Sequence, residues 1–190
     1  MTSQLYVCFL ENDLSLMESH WLNRMAANLA PKSSKSPKIH VELFFPNDRQ
    51  DESENVAGQA CSIYYNQSVF LTHKNFSRKQ WSFRTLNVND DQYKKVFSFC
   101  KQHVGESFNH LSYFTYPIGC KQVTPYWATN FGGSPRWFCS EIVVEALKAG
   151  NVLPENLHPS IHPQDLFTML EDHSTPDCVR NYESMKLVFT

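Results

Sequence analysis

Apolar and polar positions alternate along Ile39-His40-Val41-Glu42-Leu43-Phe44-Phe45. Ile39, Val41, Leu43 and Phe45 fall on one side of an extended chain, and His40, Glu42 and Phe44 on the other. The pattern predicts a strand with one core face and a second face that carries an imidazole beside a carboxylate. Ahead of it, Leu5 to Leu10 reads as a buried strand. From Asn12 or Asp13 onward, Leu14, Met17, Trp21, Met25 and Leu29 step by three and four, predicting an amphipathic helix that ends near Pro31. Pro31 to Lys38 is rich in Pro, Ser and Lys and predicts a solvated loop.

Downstream, Pro46 to Gly58 carries Asp48, Asp51, Glu52 and Glu54 and predicts an exposed, mobile connection. Gln59 to Tyr65, Val69 to His73 and Trp81 to Val88 read as further strands. With the His40 strand they make an antiparallel meander of about four strands, in which the His40 strand lies beside the Ser62 strand. Asp90 or Asp91 is placed to cap a helix with the stripe Tyr93, Val96, Phe97, Cys100 and Val104, ended by Gly105. Aromatic residues then crowd irregularly from Phe108 to Tyr126, a composition that suits either the wall of a groove or a long loop packed on the core.

Gly132-Gly133-Ser134-Pro135 interrupts regular structure, and beyond it Ile142, Val143, Ala146 and Leu147 recur at helical spacing. Glu141, Glu145 and Lys148 form the polar face of this helix, which stops at Gly150. Pro163 begins a short helix through Leu170, and Met185 to Phe189 adds a last strand. The predicted fold is α+β, an antiparallel sheet of about four to six strands packed against helices, as one domain over residues 1–190.

Cys139 therefore stands at a helix N-terminus, where unpaired N–H groups and the macrodipole favour the thiolate. A lone cysteine between Phe138 and an apolar helix is otherwise ordinary core. What makes it a candidate nucleophile is a base to take its proton, oriented by a third group. His40 is the candidate base, since His158 and His162 lie among prolines, His103 and His110 flank a helix end, and His20 is on an exposed helix face. His73, on a predicted strand, competes with it. For the orienting group Ser62 ranks slightly ahead, approaching His40 from the neighbouring strand. Glu42 shares the face of His40 but is two residues along the same strand. A metal site from His158, His162 and Cys178 is disfavoured by Pro159 and Pro163, which interrupt any helical presentation of ligands.

Composition narrows the partners. A 42% hydrophobic share with 14% aromatic residues belongs to a globular chain, and a net charge of -2 without a basic run argues against nucleic acid. The apolar run Leu5 to Leu10 is too short for a signal peptide or a membrane span, so no stable membrane insertion is expected. Six scattered cysteines without a C-x-x-C pair read as reduced thiols of an intracellular, cytoplasmic protein that needs no cofactor.

The order of strand, helix, Ser-rich loop, His40-Val41-Glu42-Leu43 and later Phe138-Cys139-Ser140-Glu141 resembles the permuted papain-like branch of the NlpC-type cysteine hydrolases. That branch includes YiiX-like proteins and relatives in phages and large DNA viruses. Gly105-Glu106-Ser107-Phe108-Asn109 is similar to its Gly-x-x-Tyr-Asp segment, with Phe108 and Asn109 as substitutions, and His162-Pro163-Gln164-Asp165-Leu166 to its Pro-x-Asp-Leu helix start. The resemblance implies a nucleophile at Cys139, a base at His40 and a polar third residue at Ser62, where family members often carry Glu, His or Gln. It implies a thiol peptidase, amidase or acyl hydrolase acting on a peptide, isopeptide or acylated substrate, in the host cytoplasm if the source is viral. A lipid- or peptide-binding module on the same fold is the alternative.

Overall fold

The computed structural model describes residues 2–11, 37–47, 54–109 and 136–171. The predicted Asn12–Leu29 helix, the loop from Pro31, most of the aromatic stretch after Asn109, the glycine run at 132–133 and the closing Met185–Phe189 strand lie outside them.

Five strands form one antiparallel sheet: β1 (Thr2–Glu11), β2 (Lys38–Pro46), β3 (Asn55–Ser62), β4 (Phe70–Ser77) and β5 (Trp81–Asn89). Their order across the sheet is β4-β3-β2-β1-β5. The expected meander holds for β2, β3 and β4, but β5 pairs with β1 rather than β4, with Leu5 opposite Leu86 and Ser3 opposite Val88. Only residues 78–80 connect the two outermost strands. Fully stretched, such a link reaches about 15 Å, whereas the outer strands of a flat five-stranded sheet stand about 19 Å apart. The sheet is therefore curled until its edges approach, and Phe76 of β4 meets Trp81 of β5 at 4.6 Å between ring centroids.

Curling gives the sheet two differently filled faces. Outside, Leu5, Val7, Phe9, Val41, Leu43, Phe45, Leu86 and Val88 join the helices in the main core. Inside, Tyr6, Cys8, Phe44, Val56, Ala60 and Phe76 form a second, aromatic-rich core against Phe70, Trp81 and Phe83. Both faces of β2 are thus buried along much of its length, and the polar residues His40 and Glu42 belong to the inner one.

Helix α1 (Asp90–Gln102) is capped by Asn89 rather than by Asp90 or Asp91. The Asn89 side chain accepts from Gln92 N, and Gln92 returns a bond to Asn89 N, a reciprocal pair that serves two otherwise orphaned donors. Two short strands, β6 (Ser107–Phe108) and β7 (Arg136–Trp137), pair in parallel and deliver the chain to α2 (Cys139–Ala149). Of the polar face expected for α2 only Glu145 is partly exposed, and Glu141 and Lys148 are buried along with Ile142, Val143, Val144, Ala146 and Leu147. Gly150 ends α2 at φ -85°, and the left-handed turn falls on Asn151, at φ 53°. The glycine is needed for a different reason: a Cβ there would collide with Val96 of α1.

Strands β1, β2 and β5 outrun their predicted limits, whereas β3 and β4 are displaced, β3 stopping at Ser62 rather than Tyr65 and β4 running from Phe70 to Ser77. β3 begins at Asn55, inside the stretch expected to be a mobile connection, because Val56 is buried opposite Phe76. Helix α3 (Pro163–Glu171) starts at its proline and lies on the outer face. There Phe167 meets Phe9 edge-on at 5.1 Å and receives the Arg84 guanidinium at 3.6 Å from its ring centre.

Candidate active site

Helix α2 lies outside the curled sheet and His40 inside it, so their meeting depends on where the sheet ends. The β2–β3 register runs from Pro46↔Gly58 to Leu43↔Cys61, and β3 stops at Ser62. His40 stands beyond this paired part. On the other side, the β1–β2 register shifts between Leu10 and Glu11, next to His40. The first residue of α2 comes to the imidazole at this open end, close enough for Cys139 to act on the protonation of His40.

The imidazole is held from three further directions. Its Nε2 lies 3.2 Å from Glu42 Oε1. Its ring stacks on Tyr64 at 4.9 Å and 22°, and meets the edge of Trp81 at 6.2 Å. With Nε2 committed to the carboxylate, Nδ1 is the ring nitrogen left for the thiol. Burial acts to lower the His40 pKa, but the Cys139 charge and hydrogen bond, followed by those of Glu42, outweigh it and lift the group to about 9.

Glu42 is wholly buried and fully engaged. Lys74 Nζ donates to both of its oxygens, at 2.8 and 2.7 Å, and Tyr64 Oη donates to Oε1 at 2.8 Å. Burial works to raise the carboxyl, yet the hydrogen bonds and charges of His40 and Lys74 hold it below the ordinary carboxylate value. Lys74 lies over the rings of Tyr64 and Phe70 at 4.8 and 4.3 Å, so part of the lysine charge is also met by aromatic faces. Burial, and then the neighbouring Glu42, push the Tyr64 phenol well up, so it acts as a hydrogen-bond donor.

Ser62 does not approach His40. Its hydroxyl donates to Val41 O at 2.7 Å, which extends the β2–β3 contact by one bond past the end of the ladder. Cys139, His40 and Glu42 are brought together, and Ser62 supports the strand beneath them. His73 is exposed on β4, where it pairs with Gln59. Successive β4 side chains alternate between faces, so His73 points away from the face of Lys74. Cys178 of the weighed metal site lies outside the described residues, and among those residues no three His, Cys, Asp or Glu side chains assemble to hold a metal ion.

Sequence reasoning missed Lys74 and Tyr64. Their place on the inner face follows from period-two alternation once the β3–β4 register is known, with Cys61 opposite Leu71 and Gly58 opposite Lys74. It also missed the inward turn of Glu141. This carboxyl accepts from Phe138 N at 2.9 Å and from the Ser160 hydroxyl. Burial lifts it to about 7 against the opposing pull of those two bonds.

No family model matches this chain, and no curated protein or solved structure matches it. Among the described residues, no helix is long and apolar enough to cross a membrane.

Proposed function

We propose that the chain is a cysteine hydrolase that works through an acyl-enzyme at Cys139, with His40 as general base and Glu42 as the group that orients the imidazole. One observation carries the reading: a single imidazole stands between the Cys139 thiol at a helix N-terminus, which raises its pKa, and a buried carboxylate 3.2 Å from its Nε2. In this scheme His40 already holds the Cys139 proton, and the sulfur attacks the acyl carbon as a thiolate paired with the imidazolium. The N–H groups at the start of α2 receive the developing oxyanion, and the imidazolium returns its proton to the leaving amine or alcohol. Water, deprotonated by the same imidazole, then hydrolyses the thioester. Glu42, already bonded by Lys74 and Tyr64, stays ionised and keeps the imidazole in one orientation.

The permuted papain-like arrangement goes with this proposal. It is supported by a base-bearing strand that precedes the nucleophile helix and by an antiparallel sheet against which that helix packs. The proposed substrates are peptide or isopeptide amides ahead of lipid acyl groups, encountered in the cytoplasm.

The test is intact-mass spectrometry after exposure to acyl, peptide and ubiquitin-like electrophilic probes. A single adduct at Cys139, lost in Cys139→Ser and in His40→Ala but kept in His73→Ala, is the expected outcome. Equal labelling of all six cysteines would favour the binding module instead.

A further inference from the structure

Two contacts outside the catalytic group converge on one short segment. Two residues after the nucleophile, Glu141 accepts the Phe138 N–H with one oxygen and the Ser160 hydroxyl with the other. Two residues before the base, Lys38 N donates to Gln164 Oε1 at 2.9 Å. Ser160 and Gln164 belong to the same stretch, the end of the α2–α3 connection and the first turn of α3. Nucleophile helix and base strand are far apart in the chain, yet both are fastened to it.

The segment is built as a fixed part. Ser160 and His162 are buried, and Leu166 is wholly so. His158 Nδ1 accepts from Ser160 N at 3.2 Å, and His162 Nδ1 accepts from Gln164 N at 3.1 Å. Pro163 sets the first helical φ, and Leu166 N bonds to His162 O at 3.0 Å. At the other end of the Glu141 link, the N-cap of α2 is Phe138, whose ring offers no acceptor to the first N–H groups of the helix. The Glu141 carboxylate takes the N–H of Phe138 itself, so that among the described residues no side chain caps the donors of the following turn. Those are the donors the acyl-enzyme scheme requires.

From this geometry we infer that Glu141 and Gln164 are positioning residues. Through Ser160 and the Lys38 main chain they tie the helix of Cys139 and the strand of His40 to one strut, residues 160–164, which sets the spacing of thiol, imidazole and oxyanion donors. The inference rests on the acyl-enzyme reading and goes beyond it, since neither residue touches the reacting atoms.

Two electrophiles separate positioning from plain stability. p-Nitrophenyl acetate acylates Cys139 faster than an ordinary thiol at neutral pH only if base and oxyanion donors are in register with the sulfur. Iodoacetamide at about pH 9.5, above the ordinary thiol pKa, requires only an ionised and accessible sulfur. Glu141→Ala and Gln164→Ala are each expected to slow acylation at neutral pH by about tenfold to a hundredfold, the usual effect of small misplacement. Alkylation of Cys139 at high pH should stay within about twofold of the parent, and circular dichroism should remain unchanged. Glu141→Gln and Gln164→Glu retain an acceptor oxygen and should restore most of the acylation rate. Combining the two alanine changes should cost less than the product of the single effects, because both release the same spacing.

Equal loss in both reactions, or no loss in either, would overturn the strut. If the parent protein is not acylated at Cys139 at all, the acyl-enzyme reading itself falls, a result distinct from the first two.

Discussion

Lys74 Nζ lies 2.8 and 2.7 Å from the two oxygens of Glu42, so the carboxylate that holds His40 is itself held by an ammonium from the next strand but one. Breaking one side of such a buried pair strands the other charge. Lys74→Met is expected to destabilise the fold by about 3 kcal/mol at pH 7, measured by urea denaturation. Because Glu42 lies below its ordinary value in the fold, its contribution is present above the unfolded carboxylate pKa and fades as pH falls through the folded one. The gap between parent and variant should accordingly close in acid. A gap that persists there would mean that lost packing of the lysine stem, not the charge pair, is being measured.

The imidazole obeys the opposite sign. His40 is lifted from 6.5 to about 9 by Cys139 and Glu42, so the stability it adds is complete below about 6.5 and disappears as pH rises through about 9. A histidine NMR titration should find one ring with a midpoint near 9. In Cys139→Ala that midpoint should move down, because the largest of the raising influences is gone. An unmoved midpoint would show that thiol and imidazole do not interact.

Removing one oxygen from Tyr64 separates its two contributions. Tyr64→Phe keeps the stack on His40 and deletes the 2.8 Å bond to Glu42. A hydrogen bond to a charged group contributes about 1.5 to 3 kcal/mol. Chemical denaturation should register a loss in that range, with the chemistry at Cys139 slowed but present. Tyr64→Ala also removes the wall beside the imidazole and should cost clearly more acylation rate than Tyr64→Phe.

The helix pair supplies a control away from the chemistry. Gly150→Ala drives a methyl group into Val96, an overpacking expected to cost about 1 to 3 kcal/mol and to lower the thermal midpoint. Cys139 alkylation by iodoacetamide at about pH 9.5 should remain near the parent rate. A large fall in that rate would mean that α1 and the start of α2 are coupled more tightly than the packing suggests.

Strand alternation and the glycine-proline break made the surroundings of His40 and Cys139 readable before any coordinates, because both signals are local. The orienting group was not readable in this way. Ser62 ranked ahead of Glu42 on the argument that a neighbouring strand approaches from the side, but the side chain in contact with the imidazole is the one two residues along. Residues i and i+2 of a strand share a face at about 7 Å, within reach of a glutamate and an imidazole that lean together. Ser62 instead completes the backbone bonding of Val41. Periodicity also grouped Glu141 and Lys148 on one polar face, yet both are buried: it reveals which residues share a side, not what lies against that side. Lys74 and Tyr64 depend on the register between distant strands, which no local pattern encodes. The pairing of β5 with β1 likewise follows from closure of the sheet rather than from chain order.

Along β2 the residues that answer to packing and those that answer to chemistry are interleaved one by one: Val41, Leu43 and Phe45 turn to the helices, while His40 and Glu42 turn inward. The strand can absorb many substitutions within either set, but insertion or deletion of a single residue would turn imidazole and carboxylate into hydrocarbon and push valine and leucine into their place. Length, more than identity, is what this part of the chain is least free to change.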